Sequence, residues 1–192
     1  MKKLVTVLAI LLFSTSLVIA QLAELGVCYA TTGTFGNNAS SLFTINIATG
    51  TGTLVGPTGI TGVIGGNTFP GVPGLAIKST GEIFGTNQAD NTGLFLIDVT
   101  NGTGVLVVNT GLAGLDGIAF DGNDQLWAVD FGNIPIANLY MVDEVTGAST
   151  LVGSTGFTIR GLAFDPTTGI LWGSDGGRKW VWWSTSRWNL YN

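Results

Sequence analysis

Four short stretches of the chain repeat one order of positions: apolar, aromatic, small, any, polar. They are "CYATT" (Cys28–Thr32), "IFGTN" (Ile83–Asn87), "LWAVD" (Leu126–Asp130) and "LWGSD" (Leu171–Asp175). A second phrase follows the first three, starting at Leu42, Leu94 and Leu139: an alternating strand, a short turn ending in Gly, and another strand closing on "TG". Period-two alternation broken by Thr/Asn-Gly turns predicts β-hairpins. Before each later aromatic stretch stands "GLAI", "GIAF" or "GLAF", then a turn: "KSTG", "DGND" or "DPTTG". The unit is therefore four strands, here a to d. Its clearest examples are a (Gly161–Asp165), b (Ile170–Asp175), c (Leu139–Asp143) and d (Ser149–Gly153).

The unit recurs after 43 residues, from Gly74 to Gly117, and after 44, from Gly117 to Gly161. Four short antiparallel strands at that period predict an all-β chain and a β-propeller of four-stranded blades, about three to three and a half of them present. The hairpin turns and the long period argue against a β-solenoid. The small Gly-Leu-Ala opening suits an innermost strand, where blades crowd the axis. Aligned with Ile83, Leu126 and Leu171, Cys28 is expected to be a small buried hydrophobe. One connection breaks the rule. "ITGVIGGNTFPGVP" (Ile60–Pro73) lengthens the first d-to-a link, either as a surface insertion or as a functional loop.

The chain ends work against this regularity. The first unit supplies b, c and d, and the last supplies a and b before "RKWVWWSTSRWNLYN". Strand a at Gly161 is a candidate partner for the first unit, although that ring would hold only three blades, fewer than propellers usually have. The tail, residues 178–192, holds four of the six tryptophans. It reads as the end of a truncated or frameshifted fragment of a larger, incomplete ring, or as an aromatic edge for self-association of two chains. At the other end, Lys2 and Lys3 precede an apolar run from Leu4 to Ile19, and "VIA" closes it with small residues. Residues 1–20 thus read as a signal peptide, and residues 21–177 as the propeller blades. The run is short for a membrane anchor and lacks a basic flank after it. The expected location is secreted, periplasmic or cell surface.

Composition narrows the partners. Without Lys2 and Lys3, five basic residues face twelve acidic ones. No basic patch exists for nucleic acid, and no polybasic segment for a membrane surface after signal cleavage. The single cysteine rules out an internal disulfide. The absence of histidine excludes a Ser-His-Asp triad and His-ligated metal.

In blade geometry the b-to-c and d-to-a connections share one face. Asn87, Asp130 and Asp175 end b strands there, and Asp116 and Arg160 precede a strands. These five are the candidate ligand or metal residues. Their oxygens suit a hard cation such as Ca²⁺, or they cap turns. Asp121, Asp124 and Asp165 lie in a-to-b turns on the opposite face and are assigned turn roles.

"GLAFDPTTGILWGSD" and "LYMVDEVTGASTLVG" resemble repeats of secreted bacterial β-propellers of the broad YVTN/NHL and gluconolactonase-like group. The resemblance covers about Gly26 to Gly177. It implies the fold, while the group's activities are diverse. Its lactonase-type members resemble metal enzymes with acidic and Asn ligands in the channel, and Asn87, Asp130 and Asp175 are the positions that match. The early acidic ligand has no match. The expected function is a non-catalytic binding or interaction module for an extracellular protein or glycan, with no cofactor. The alternative is a metal-dependent lactonase- or lyase-like hydrolase with its site at the channel mouth.

Overall fold

The structure is a computed structural model. It describes residues 20–33, 38–130 and 136–175, and the backbone of 180–184 and 187–190. The expected signal peptide lies outside the described residues apart from Ala20. Among the described residues no helix is long and apolar enough to cross a membrane.

The chain forms a series of antiparallel sheets in sequence order. Strands β1 (Cys28–Thr31), β2 (Ser41–Ile45) and β3 (Gly52–Pro57) make a three-stranded first sheet. A hairpin of β4 (Thr61–Ile64) and β5 (Asn67–Pro70) follows. The second blade is β6 (Leu75–Ile77), β7 (Ile83–Thr86), β8 (Gly93–Ile97) and β9 (Gly104–Asn109). The third is β10 (Leu115–Phe120), β11 (Leu126–Asp130), β12 (Asn138–Val142) and β13 (Ser149–Ser154). The fourth is β14 (Ile159–Asp165), β15 (Ile170–Asp175), β16 (Trp180–Ser184) and β17 (Arg187–Leu190). This is a partial β-propeller.

The expected candidate partnership between strand a at Gly161 and the first unit is corrected. Among the described residues, strand β14 pairs only with β15 and does not join the first sheet, whose β1 pairs only with β2. The tail also completes its own blade. Its backbone pairs β16 with β15 and β17 with β16, with Ser174 opposite Trp180 and Ser184 opposite Arg187. Backbone pairing needs extended chain, not the repeat's side-chain pattern, so a segment of foreign composition completes the sheet.

Each interface between blades carries its own apolar cluster. Leu42, Ile60, Val72, Ile83 and Ile97 pack between the first and second blades. Phe84, Leu94, Leu115, Ile118, Phe120 and Leu126 pack between the second and third, where Phe84 meets Phe120 edge-on at 5.4 Å. Ala119, Val129, Leu139, Ile159 and Leu171 pack between the third and fourth. Along strand b the first repeat position faces the preceding blade and the aromatic faces the following one. Ile83 and Leu126 are fully buried on that account, and Leu171 nearly so. Cys28 sits at the same position but is exposed, against expectation, because among the described residues no blade packs on that face.

The repeated "TG" has a structural cause. Thr58, Thr110 and Thr155 are buried where strand d turns back to the centre. Each hydroxyl donates to a carbonyl across the sheet: Ser40 at 3.0 Å, Thr92 at 2.9 Å and Ala137 at 2.7 Å. Each also accepts the N–H two residues on, from Ile60, Leu112 and Phe157. One hydroxyl thus pairs the N–H two residues on and adds a second bond to a carbonyl that already accepts the threonine's own N–H.

Candidate functional site at the channel mouth

The inner strands approach so closely that side chains are excluded between them. A Cβ on Gly117 would lie 3.0 Å from the carbonyl oxygen of Arg160 in the next blade. One on Gly74 would lie 2.8 Å from the carbonyl oxygen of Asp116. At Gly74 and Gly117 glycine opens the inner strand because neighbouring backbone occupies the space. Around these strands lies an open cavity of about 290 Å³, lined by 29–31, 73–75, 116–118 and 161–162. All four blades therefore contribute to its wall.

Two of the five sequence candidates meet here. The register between β10 and β11 shifts between Leu115 and Gly117, so Asp116 is the extra residue of a bulge. The register between β14 and β15 shifts between Ile159 and Gly161, so Arg160 is the extra residue of the next one. A bulge re-aims the side chain it carries. Here it joins Arg160 Nη1 to Asp116 Oδ2 at 3.0 Å across the blade boundary. Gln88 Nε2 stands 3.5 Å from Asp116 Oδ1, a residue that no pattern in the sequence singled out. Asp116 is 4% exposed. Burial pushes its carboxyl above the ordinary aspartate range, while the charge of Arg160 and hydrogen bonds from Gln88 and Arg160 pull it back.

Asn87 and Asp130 serve the b-to-c connection. Asn87 Oδ1 accepts the Gly93 N–H at 2.8 Å, and its Nδ2 donates to the Thr61 carbonyl at 2.8 Å. Asp130 Oδ1 accepts the Asn138 N–H at 2.7 Å, and its Oδ2 accepts from Tyr140 Oη at 3.1 Å. The same position in two blades thus ties the end of strand b to the start of strand c. Burial, then the Asp130 charge, raises the Tyr140 hydroxyl above its usual range. Asp175 ends β15 opposite Ile159. Of the opposite-face residues, Asp121 and Asp165 accept N–H groups of their own turns, from Asn123 and Thr167. Asp124 does more than its assigned turn role. It accepts both the N–H and the hydroxyl of Ser79 in the second blade.

The long d-to-a link is a built element. Gly65 and Gly66 take φ of 54° and 83° in its two-residue turn, which is the type I′ geometry favoured in hairpins. The hairpin seats on the β7–β8 connection. The Asp90 N–H donates to the Val63 carbonyl at 2.9 Å, and the Gly65 N–H to Asp90 Oδ2 at 3.0 Å.

No family model matches the chain, and no curated protein matches it. A chain in a crystal structure of a nidogen/laminin complex, a β-propeller, is similar in fold. The TM-score is 0.53 at 18% identity, covering 78% of this chain and 56% of that one. The similar part is thus little more than half of that chain.

Proposed function

We propose that the chain is an exported, non-catalytic propeller module that binds an extracellular protein or glycan at the channel mouth. The observation that carries this is the Asp116–Arg160 pair on paired bulges beside a solvent-open cavity. A largely buried carboxylate beside a guanidinium offers fixed acceptors and donors to hydroxyl and amide groups of a ligand. The similar solved chain belongs to a complex of two proteins, which supports the binding reading.

The competing Ca²⁺-dependent hydrolase needs several oxygen ligands converging on one point. Among the described residues no three His, Cys, Asp or Glu side chains are grouped to hold a metal ion. Asn87 Oδ1 and both carboxylate oxygens of Asp130 already accept hydrogen bonds from their own chain.

Two measurements separate the readings. Melting temperature is followed with Ca²⁺, Mg²⁺ and Mn²⁺ added, alongside hydrolysis of a lactone panel. A ligand held only by the folded state raises the melting temperature by mass action. The binding module shows no shift and no turnover. It does bind one member of an immobilised panel of extracellular proteins and polysaccharides, and Asp116→Asn weakens that binding. Metal stabilisation together with turnover would sink the proposal.

A further inference from the structure

The two ends of the blade series present the two halves of an interface that the chain has already built three times. At the amino-terminal end, Cys28 is exposed where Ile83, Leu126 and Leu171 are buried. Ile45, on the same face, is only half-buried, whereas its counterparts Ile97 and Val142 are fully buried. At the other end, Ala163 is exposed, whereas its counterparts Ala76 and Ala119 are 7% and 6% exposed. A Cβ on Gly161 would meet only Ser174 of its own blade, where Gly74 and Gly117 press on the backbone of the next one.

The first face takes what an aromatic-bearing blade offers, and the second offers it. Within the chain, Ala76 shares a cluster with Leu126, and Ala119 shares one with Leu171. The next pair in that series is Ala163 with Cys28, and one chain does not bring them together: both are exposed. We infer that a second copy of the chain docks head-to-tail, its first blade covering the fourth blade of its neighbour. The contact continues the internal blade-to-blade packing and places Ala163 against Cys28 of the second copy. It is heterologous, so it closes a ring when the rotation allows and otherwise extends as a chain. This goes beyond the binding reading and does not depend on it.

The test uses Ala163→Cys with the native Cys28, under mild oxidation. Two cysteines bridge only when their Cβ atoms come within about 4 Å. The expected result is a disulfide between chains, lost when Cys28→Ser is added. Light scattering of the unmodified chain is expected to show a mass at least twice that of one copy as concentration rises. Ala163→Glu places a charge on a surface exposed in the single chain, so it is expected to fold and to stay monomeric. A single-copy mass at every concentration with no bridge between chains overturns the inference. A bridge within one chain, showing that the arc closes on itself, overturns it too.

Discussion

Arg160 and Asp116 hold the same position in successive blades, and each is the extra residue of a bulge that starts an inner strand. Their 3.0 Å ion pair therefore spans a blade boundary. It fastens two repeat units by a position where the pairing of the two innermost strands departs from regular register. Arg160 is nearly half exposed and Asp116 is not, so the pair's energetics are unequal.

Among the described residues, removing the cation leaves the buried carboxylate with Gln88 as its side-chain partner. Arg160→Ala is expected to cost about 1–2 kcal/mol, less than a fully buried pair because solvent already screens the guanidinium. Chemical denaturation of the single and double variants measures it. A coupling energy of zero between Arg160→Ala and Asp116→Asn would show that the pair does not act across the boundary.

The pH dependence has a definite sign. The Asp116 carboxyl is raised in the fold, by burial first. Its contribution is fully present below the unfolded aspartate pKa and is lost as pH rises through the folded value. The melting temperature of the parent relative to Asp116→Asn should therefore fall between acid and neutral pH. Asp143 and Asp165 act oppositely. Hydrogen bonds hold both low, led for Asp143 by the Thr146 N–H and for Asp165 by the Thr168 hydroxyl. Their contributions are present at neutral pH and are lost as pH falls through the folded values. Referring each melt to the Asp116→Asn variant separates the two signs.

Equivalent positions should respond unequally. Leu126→Ala empties a fully buried site and is expected to cost about 2–5 kcal/mol. Cys28→Ser, at the same repeat position but exposed, should stay within about 0.5 kcal/mol in dilute solution. Equal losses in denaturant melts would contradict the open amino-terminal face.

The hairpin can be unseated by one methyl group. A Cβ on Gly62 would lie 1.7 Å from the Gln88 carbonyl oxygen, which is backbone and cannot turn aside. Gly62→Ala is expected to cost about 1–3 kcal/mol. The amides of Asp90 and Gly65 should lose hydrogen-exchange protection while the third blade keeps its own. Unchanged protection at Asp90 would show that the hairpin is not held there.

Thr110→Val keeps the shape and removes one hydroxyl that serves two partners, the Thr92 carbonyl and the Leu112 N–H. The Thr92 carbonyl keeps the Thr110 N–H, so the loss falls on the Leu112 N–H, and about 1–3 kcal/mol is expected for that unpaired donor. Denaturation of the equivalent Thr58 and Thr155 variants checks whether the three corners are alike.

Strand identity was legible because each strand-forming run is local and bounded by turn residues, and β15 also alternates in burial. The buried face of Ile83 and Leu126 was legible for the same reason. Cys28 was not, because its burial depends on a neighbouring blade and its residue type does not record that. That the tail pairs with β15 was not legible from the repeat, because that pairing is a backbone property. At the channel mouth, Asp116 and Arg160 were found by their place before strand a. Their contact was not, since it needs two bulges in step, and Gln88 belongs to no repeated phrase.

Among the described residues each apolar cluster joins sheets that are neighbours in the sequence, so the first and fourth sheets are each backed by such a cluster on one side. Stability in such a linear array is a sum of units and nearest-neighbour couplings. Melting is then a fraying process that eats inward, with β7 and β11 among the last amides to exchange. A ring sealed all the way round has no such starting points.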